Sequence, residues 1–262
     1  IEHELTHCDL GIVPTQWQYA QFPRLLQSRL QVVFDGIDTS FFQLPPTDFP
    51  RSCEFPRVGE GVQPLSLSDS DLVLSYATRG MEPLRGFPQF MRALPYLLPR
   101  LPRLHVLIAG EDRQAYSYAA PTHEGSWKKA LLDEIGSFPG SQRICFTGSL
   151  TYNDYRRLLW RSDMHCYFTF PYVISWSLFE SVACGTKLCL STNGATDLFL
   201  EYASVKIDLA SSPKQIAAAL YRALAQERAF KIQTQKTQLS TRHFPDDFKL
   251  SVCMRRWISI VD

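Results

Sequence analysis

The amino-acid sequence predicts a doubly wound α/β fold, in which helices cover both faces of a parallel β-sheet. From residue 72 onward, short apolar runs rich in strand-forming residues alternate with stretches of helical periodicity. The composition, 45% hydrophobic and 20% charged, is that of a globular chain. Strands and helices that alternate at this spacing form right-handed βαβ units, so the strands run parallel and the sheet is buried between helices.

The repeat contains six predicted strands, and a helix is expected after each of them. Thr151 and Asn153 are candidate caps of one helix, and Leu158 and Leu159 lie on its apolar face. The predicted strands are residues 72–77, 104–110, 144–148, 164–170, 187–191 and 204–208. The clearest helices are predicted at about 86–98, 126–135, 151–162, from about Ser177 onward, and at 212–240.

Both ends of the chain depart from this repeat. Residues 1–40 contain a predicted strand, in "DLGIVPT", and a helical stretch, "QWQYAQFPRLL". Residues 43–70 are rich in Pro, Ser and Asp and are predicted to form a loop or linker. A last amphipathic helix is predicted at 245–261, with Asp246 and Asp247 near its N-terminus, where acidic side chains are favourable.

Composition also bears on partners and on the cellular setting. The formal net charge of +1 gives no electrostatic case for nucleic-acid binding, although small phosphorylated ligands are compatible with it. The seven cysteines include no CxxC pair and lie mostly in apolar runs, so we expect reduced thiols and no zinc. No apolar stretch approaches the roughly 20 residues of a membrane span, and no signal peptide opens the chain. We therefore expect a cytoplasmic protein without a membrane span, and peripheral membrane association stays open.

In an open parallel sheet, ligands bind beyond the carboxyl ends of the strands, so the loops that follow the strands are the candidate sites. The first such loop, "TRGMEPLRG" at 78–86, carries Arg79 and Arg85 close to glycines. Two guanidiniums at this position suit a diphosphate, which they can bind bidentately without a metal. Two solvated surface arginines are an equally good interpretation of the spacing alone.

A second candidate is the loop "PYVISWS" at 171–177, which leads into a predicted helix. Ser177 and Glu180 have the spacing of a capping box, in which Glu180 bonds back to the start of the helix. Alternatively, free N–H groups at this helix start receive a phosphate, and Glu180 accepts hydrogen bonds from ribose hydroxyls. Both interpretations use the same geometry, and both stay open.

Other catalytic patterns are missing from the sequence. It contains no HExxH and no Ser-His-Asp spacing, and its histidines stand singly. It also lacks GxGxxG, which disfavours a dinucleotide-dependent oxidoreductase.

Several segments together resemble family 4 glycosyltransferases, the large retaining group with the GT-B fold of two Rossmann-like domains. "VVFDGIDTSFF" resembles the signature that joins the two domains of that family. The further matches, in the family's order, are "YATRGMEPLRGFPQFMRALPYLL", "VLIAGED", "ICFTGSLTYNDYRRLLWRSDMHCYFT" and "ESVACGTKLCLSTNGAT". The matches run from residue 8 to about 225 and cover most of the chain.

The resemblance implies a donor site for a nucleotide sugar in the C-terminal domain. Arg79 matches the family's diphosphate-binding Arg, Arg85 stands where a Lys is usual, and Glu180 matches the ribose-binding glutamate. It implies that these arginines and the helix start, with no metal and no other cofactor, stabilise the leaving phosphate. The remaining expected donor-site residues are Gly80, Gly148, Ser149, Leu150, Ser175, Trp176 and Ser177, with the base near 147–150.

The sequence departs from the family in two ways. Tyr172 stands where the family's E-x7-E pattern has its first glutamate, which normally contacts the transferred sugar. The chain is also short for two domains and lacks an initiator methionine, so we expect a truncated form. The expected division is 1–40 as a remnant of the acceptor domain and linker, 41–240 as the nucleotide-sugar-binding domain, and 241–262 as a crossing helix.

The expected activity is hexosyl transfer, with retention, from a nucleotide sugar to a hydroxyl of a carbohydrate, lipid or protein acceptor. The loss of the first glutamate and the short chain leave open that the isolated chain is inactive. One alternative is a nucleotide-sugar epimerase of the same fold, although no set of catalytic carboxylates and histidine is evident for it. Another is a non-catalytic nucleotide-binding or phosphate-binding module.

Overall fold

The structure, a computed structural model, describes residues 2–59, 61–192, 194–234 and 243–261. It confirms the predicted α/β fold, because a six-stranded sheet in which every pairing is parallel forms its centre. The strands are β1 (Gly11–Val13), β2 (Leu30–Val32), β3 (Cys53–Phe55), β4 (Leu65–Leu67), β5 (Leu72–Gly80), β6 (Leu104–Glu111), β7 (Ile144–Gly148), β8 (Met164–Tyr167), β9 (Leu188–Ser191) and β10 (Ala203–Ile207). The α-helices are α1 (Glu2–His7), α2 (Gln16–Ala20), α3 (Arg24–Gln27), α4 (Phe87–Leu97), α5 (Trp127–Ile135), α6 (Tyr152–Arg161), α7 (Trp176–Ala183), α8 (Pro213–Thr234) and α9 (Leu250–Val261).

The order of strands across the central sheet is β10-β9-β8-β5-β6-β7. The chain builds outward from β5 through β6 to β7, and then returns to the other side of β5 with β8, β9 and β10. The reversal therefore lies between β5 and β8, which pair in parallel with Ser75 opposite His165. Sheets of this order bind ligands in the crevice where the strand order reverses.

Helices bury both faces of the sheet. On one face, α4 and α8 pack against side chains such as Tyr76 and Cys166, with Phe90, Leu94 and Leu220 fully buried between them. On the other face, α6 and α7 pack against Tyr167, the residue that follows Cys166 in β8, and against β9. This alternation explains why residues 72–76 of β5 and all of β8 are buried, since both faces of these strands are covered.

The two ends of the chain pack against the second face. The β1–β2 pair forms a separate parallel sheet, and the backbone of Ile37 bridges to Lys249 at the start of α9. Phe34 stacks on Phe179 of α7 with ring centres 4.1 Å apart, so the amino-terminal segment is fixed to the helix that follows β8. The predicted boundary between 240 and 241 lies outside the described residues, and the domain division stays a prediction.

Residues 43–70 are more ordered than the sequence predicted. They contain the antiparallel hairpin of β3 and β4 instead of a plain linker. Arg161 holds this segment: its side chain is fully buried and donates hydrogen bonds to the carbonyl oxygens of Arg51, Ser68 and Asp71. The partner that orders the segment is therefore distant in sequence, and no local pattern indicates it.

Three helix predictions also need correction. The stretch after β1 is broken at Pro23 into α2 and α3, because proline lacks a backbone N–H and disfavours helical backbone in the residue before it. A 3₁₀-helix (Asp197–Tyr202), not an α-helix, follows β9. The last α-helix begins at Leu250, after a 3₁₀ turn at Asp246–Phe248. No helix in the described part of the chain is both long and apolar enough to cross a bilayer.

Candidate functional site

A cleft of about 640 Å³ lies at the carboxyl ends of the central strands, at the reversal between β5 and β8. Its walls come from the loops after β5, β6, β7 and β8 and from the start of α7. The amino-terminal segment closes one side with Pro14, Gln18, Phe34 and Asp35. The cleft thus brings together the loops in which the sequence predicted a ligand site.

Arg85 is the buried cation of this cleft. Arg85 is the last residue of a short 3₁₀-helix (Pro83–Arg85), and only 7% of the surface of Arg85 is exposed. Its Nη1 donates to Tyr167 Oη and Thr169 Oγ1, both at 3.2 Å, and to the carbonyl of Val173 at 3.3 Å. Among the described residues, no carboxylate forms an ion pair with Arg85. A buried charge without a counterion is costly, so the cleft suits an anionic ligand at this point.

Arg79 converges on the same place from the end of β5. Its Nη1 donates to Tyr116 Oη at 3.2 Å, and the Arg85 guanidinium carbon lies 5.5 Å from the centre of the Tyr116 ring. Two cations from one loop therefore flank a single tyrosine that lines the cleft. Arg79 is exposed and Arg85 is buried, so the interpretation as two solvated surface arginines does not hold for Arg85.

Glu180 lies in α7 and lines the cleft with 8% of its surface exposed. Burial raises the pKa of its carboxyl to about 7. The capping-box interpretation is wrong, because α7 begins at Trp176 with Ser175 as its N-cap and Glu180 makes no capping bond. Within the part of the chain that the structure describes, the carboxyl has no hydrogen-bond partner, so its acceptor capacity is left for a ligand.

The start of α7 forms another wall of the cleft. Ser175, Trp176 and Ser177 all line it, and the first N–H groups of a helix have no acceptor within the helix. The backbone N–H of Ser175 donates to Tyr167 Oη at 2.9 Å, the hydroxyl that Arg85 also contacts. The Trp176 indole donates to Asp35 at 3.2 Å and so connects this helix to the amino-terminal segment.

The other predicted residues divide into two groups. Ser149 and Leu150 line the cleft, and the Ser149 hydroxyl donates to Glu111 at 3.0 Å. Gly80 and Gly148 are not among the described residues that line the cleft: a Cβ on Gly80 would stand 2.5 Å from the carbonyl of Arg113, and Gly148 has φ +70°. Gly80 thus allows close approach of neighbouring backbone, and Gly148 that of the Val58 side chain; a direct contact with ligand stays a prediction for both.

Sequence reasoning missed several tyrosines of the cleft. Tyr116, Tyr155 and Tyr167 line it, and Tyr167 connects Arg85 to the start of α7. Burial and the nearby Glu180 carboxyl raise the pKa of the Tyr155 phenol well above its ordinary value. The usable signal for Tyr116 was its position in the loop after the second strand of the repeat. Tyr172, which takes the place of a family glutamate, packs against Tyr116 with ring centres 5.7 Å apart.

Known proteins resemble this chain in sequence at one end and in fold over its length. The family model "Glycosyl transferase family 4 group" matches residues 1–42. No curated protein sequence matches the chain. HepE from Anabaena, solved in complex with UDP-glucose, matches 97% of this chain and 64% of its own at 15% identity and a TM-score of 0.67.

Two further solved structures extend the comparison. Sucrose-phosphate synthase from Thermosynechococcus elongatus matches 100% of this chain and 61% of its own, at 14% identity and a TM-score of 0.67. The C-terminal domain of the group 1 glycosyl transferase LpcC from Francisella tularensis matches over its whole length and over 78% of this chain, at 16% identity and a TM-score of 0.52. The chain spans less than two thirds of the length of HepE and of the synthase, at 64% and 61%. These findings confirm the Rossmann-like fold of GT-B proteins and the resemblance to family 4 glycosyltransferases.

Proposed function

We propose that the cleft binds a nucleotide sugar and that the protein transfers the sugar to a hydroxyl of an acceptor. One observation carries this proposal: Arg85 and Glu180, both almost buried, face the same cleft without a partner of opposite charge among the described residues. A nucleotide sugar supplies an anion for the first and hydroxyl donors for the second. The complexes of HepE with UDP and with UDP-glucose support this class of ligand.

The diphosphate is proposed to lie between Arg79, Arg85 and the start of α7. Guanidiniums bind phosphate oxygens in bidentate geometry, and the amino end of a helix carries partial positive charge. Both arginines are fixed in advance by tyrosine hydroxyls, so they need little reorganisation when negative charge develops on the leaving diphosphate. In this proposal these groups neutralise that charge in place of a divalent cation.

The nucleoside is proposed to extend from Glu180 towards Ser149 and Leu150. In its ionised form, the Glu180 carboxylate accepts hydrogen bonds from both ribose hydroxyls. Because the pKa of this carboxyl is raised to about 7, ligand hydroxyls that donate to it also favour its ionised form. The base then reaches the ends of β6 and β7, where Gly110 and Ser149 line the cleft.

The proposed transfer retains the anomeric configuration, as the resemblance to family 4 implies. The bond between the sugar C1 and the diphosphate oxygen breaks, and the electron pair stays with the diphosphate. The same phosphate takes the proton of the acceptor hydroxyl, whose oxygen forms the new bond to C1 on the same face. The arginines stabilise the charge on the leaving group in this step.

A turnover assay tests this proposal. The protein is incubated with UDP-, GDP- and ADP-hexoses and a panel of sugar, lipid and peptide acceptors, and release of nucleoside diphosphate is measured. We expect Arg85→Ala to lower the release rate by roughly 10²-fold, the magnitude typical for removal of one transition-state donor. Arg92→Ala is the matched control, because Arg92 does not line the cleft and pairs at the surface with Glu134 of α5, so its removal should leave the rate unchanged.

One observation favours a second candidate, a nucleotide-sugar-binding module without turnover. Tyr172, which packs against the cleft residue Tyr116, stands where the resemblance predicts a carboxylate for the sugar. Such a module would bind a nucleotide sugar and release no nucleoside diphosphate with any acceptor. Binding together with release of the diphosphate would favour the transferase.

A further inference from the structure

A fully buried carboxylate, Glu82, fixes the loop that follows β6. It accepts the backbone N–H groups of Ala115 at 2.8 Å, of Tyr116 at 3.0 and 3.1 Å, and of Ser117 at 3.0 Å. Within the described residues, Glu82 forms no ion pair with a cationic side chain. Hydrogen bonds to an ionised acceptor are about twice as strong as neutral ones, so three consecutive backbone groups are held in one arrangement.

This arrangement directs the Tyr116 side chain to the cleft, between the two arginines. Arg79 Nη1 donates to its hydroxyl at 3.2 Å, and Arg85 lies 5.5 Å from its ring centre. The Tyr172 ring also packs against the Tyr116 ring, with the two ring centres 5.7 Å apart. The position of Tyr116 is therefore set by its own backbone and by contacts with three side chains.

The hydrogen bond from Arg79 decides what the Tyr116 hydroxyl can do. The oxygen already accepts from a guanidinium, so the single O–H proton is available to donate elsewhere. No described residue accepts that proton. Donation from a cation polarises the hydroxyl and strengthens it as a donor. An oxyanion in the cleft would then meet donors from three positions: the end of β5, the 3₁₀-helix before α4, and the loop after β6.

We infer that Tyr116 is a diphosphate-binding residue and that Glu82 is the positioning residue that holds it at the cleft. This inference rests on the proposed function and deepens it, because it assigns a third donor to the diphosphate of the nucleotide. It also gives a physical reason for a glutamate at 82, which would otherwise be an unexplained buried charge.

The test compares ligands that carry the diphosphate with ligands that lack it. UDP, GDP and ADP, and the nucleosides uridine, guanosine and adenosine, are titrated calorimetrically into wild type and Tyr116→Phe. The phenylalanine keeps the ring and removes only the hydroxyl. We expect Tyr116→Phe to weaken the tightest-bound diphosphate roughly ten-fold, since a hydrogen bond to a charged group is lost, and to leave its nucleoside unchanged.

Tyr118→Phe is the matched control. Tyr118 lies two residues further along the same loop, is 66% exposed and packs against Trp127 outside the cleft. We expect this variant to bind both kinds of ligand as wild type does. Glu82→Gln should weaken the diphosphate more than the nucleoside, because it loosens the position of Tyr116 without altering the base and ribose contacts.

The outcomes separate this inference from the proposed function. If wild type binds a diphosphate and Tyr116→Phe binds it equally well, the inference is wrong and the proposed function stands. Equal weakening of diphosphate and nucleoside would also overturn the inference, because it would mean that Tyr116 only supports the shape of the cleft. If wild type binds none of the three diphosphates, both the proposed function and the inference fail.

Discussion

Arg85 and Glu180 are each less than a tenth exposed, at 7% and 8%, and they belong to different elements of the same cleft. At the residue scale, their burial has opposite chemical consequences. The Arg85 guanidinium is anchored through one nitrogen, Nη1, by neutral oxygens. Glu180 lacks such anchors, and burial moves the pKa of its carboxyl close to neutrality. The cleft therefore combines an anchored guanidinium at one position with a carboxyl that titrates near neutrality at another.

The raised pKa of Glu180 predicts a pH-dependent stability. The folded pKa of about 7 lies above the ordinary value of 4.5, so the native state holds this proton more tightly than the unfolded state does. The associated stability is fully present below about pH 4.5 and is lost as the pH rises to about 7. The loss amounts to roughly 3 kcal/mol.

Glu180→Gln isolates this contribution. The free energy of unfolding of this variant and of wild type is measured by urea denaturation across pH. Because only wild type loses stability between pH 4.5 and 7, the variant's value minus the wild-type value should rise over this range and stay level above pH 7. A difference that does not change with pH would contradict the burial of an unpartnered carboxyl at this position.

At the element scale, the 3₁₀-helix that carries Arg85 depends on its junction with α4. Gly86 forms this junction with φ +63°, and a Cβ there would stand 2.6 Å from the Cβ of Phe168. The Tyr76 hydroxyl donates to the Arg85 carbonyl at 2.7 Å and so fixes the preceding residue. The backbone at 85–86 thus sets where the guanidinium lies.

Gly86→Ala should both destabilise the protein and weaken binding at the cleft. We expect a loss of roughly 1–3 kcal/mol in the free energy of unfolding, from left-handed backbone strain and the clash with Phe168. Nucleoside diphosphate binding should weaken at least roughly five-fold, because Arg85 shifts with the junction. Gly136→Ala is the control: it has φ +59° with no atom within 4 Å of the added Cβ, so it should cost stability without affecting binding. If Gly86→Ala and Gly136→Ala bind nucleoside diphosphate equally well, the junction at Gly86 does not set the position of Arg85.

Element prediction from sequence succeeded where the determinants are local. The strands from β5 to β10 follow from apolar runs, and Thr151 caps α6 as its position predicted, accepting the N–H of Asp154. It failed where the determinant is distant in sequence. The hairpin of β3 and β4 depends on buried Arg161, and the position of Tyr116 depends on Glu82. Neither contact leaves a periodic pattern in the segment that it orders.

The site prediction shows the same division. Arg79, Arg85 and Glu180 were predicted from loop position and from the family resemblance, and all three line the cleft because the loops after β5 and β8 meet at the strand-order reversal. Their roles in binding stay a prediction. The spacing of Ser177 and Glu180 also suggested a capping box, and only the actual start of α7 at Trp176 excludes it. A two-residue difference in the N-cap position, Ser175 instead of Ser177, separates a structural role from a free carboxyl, and sequence patterns do not fix helix boundaries to that precision.

At the scale of the whole molecule, the cleft is shared between the central sheet and the amino-terminal segment. Asp35 and Gln18 line the cleft, and the Asp35 carboxylate accepts the Trp176 indole N–H. Stacking of Phe34 on Phe179 keeps this segment against α7. The proposed donor site therefore depends on the segment that the family 4 model matches as well as on the Rossmann-like sheet.

The most direct test of the central claim is calorimetric titration of the chain with UDP, GDP and ADP in the presence of EDTA. Wild type, Glu180→Ala and Arg79→Ala are compared, the last because Arg79 is exposed and its removal should leave the fold intact. We expect micromolar binding of one nucleotide to wild type without metal, weakened at least roughly ten-fold in each variant. Binding that is unchanged in both variants, or no binding of any nucleotide by wild type, would contradict it.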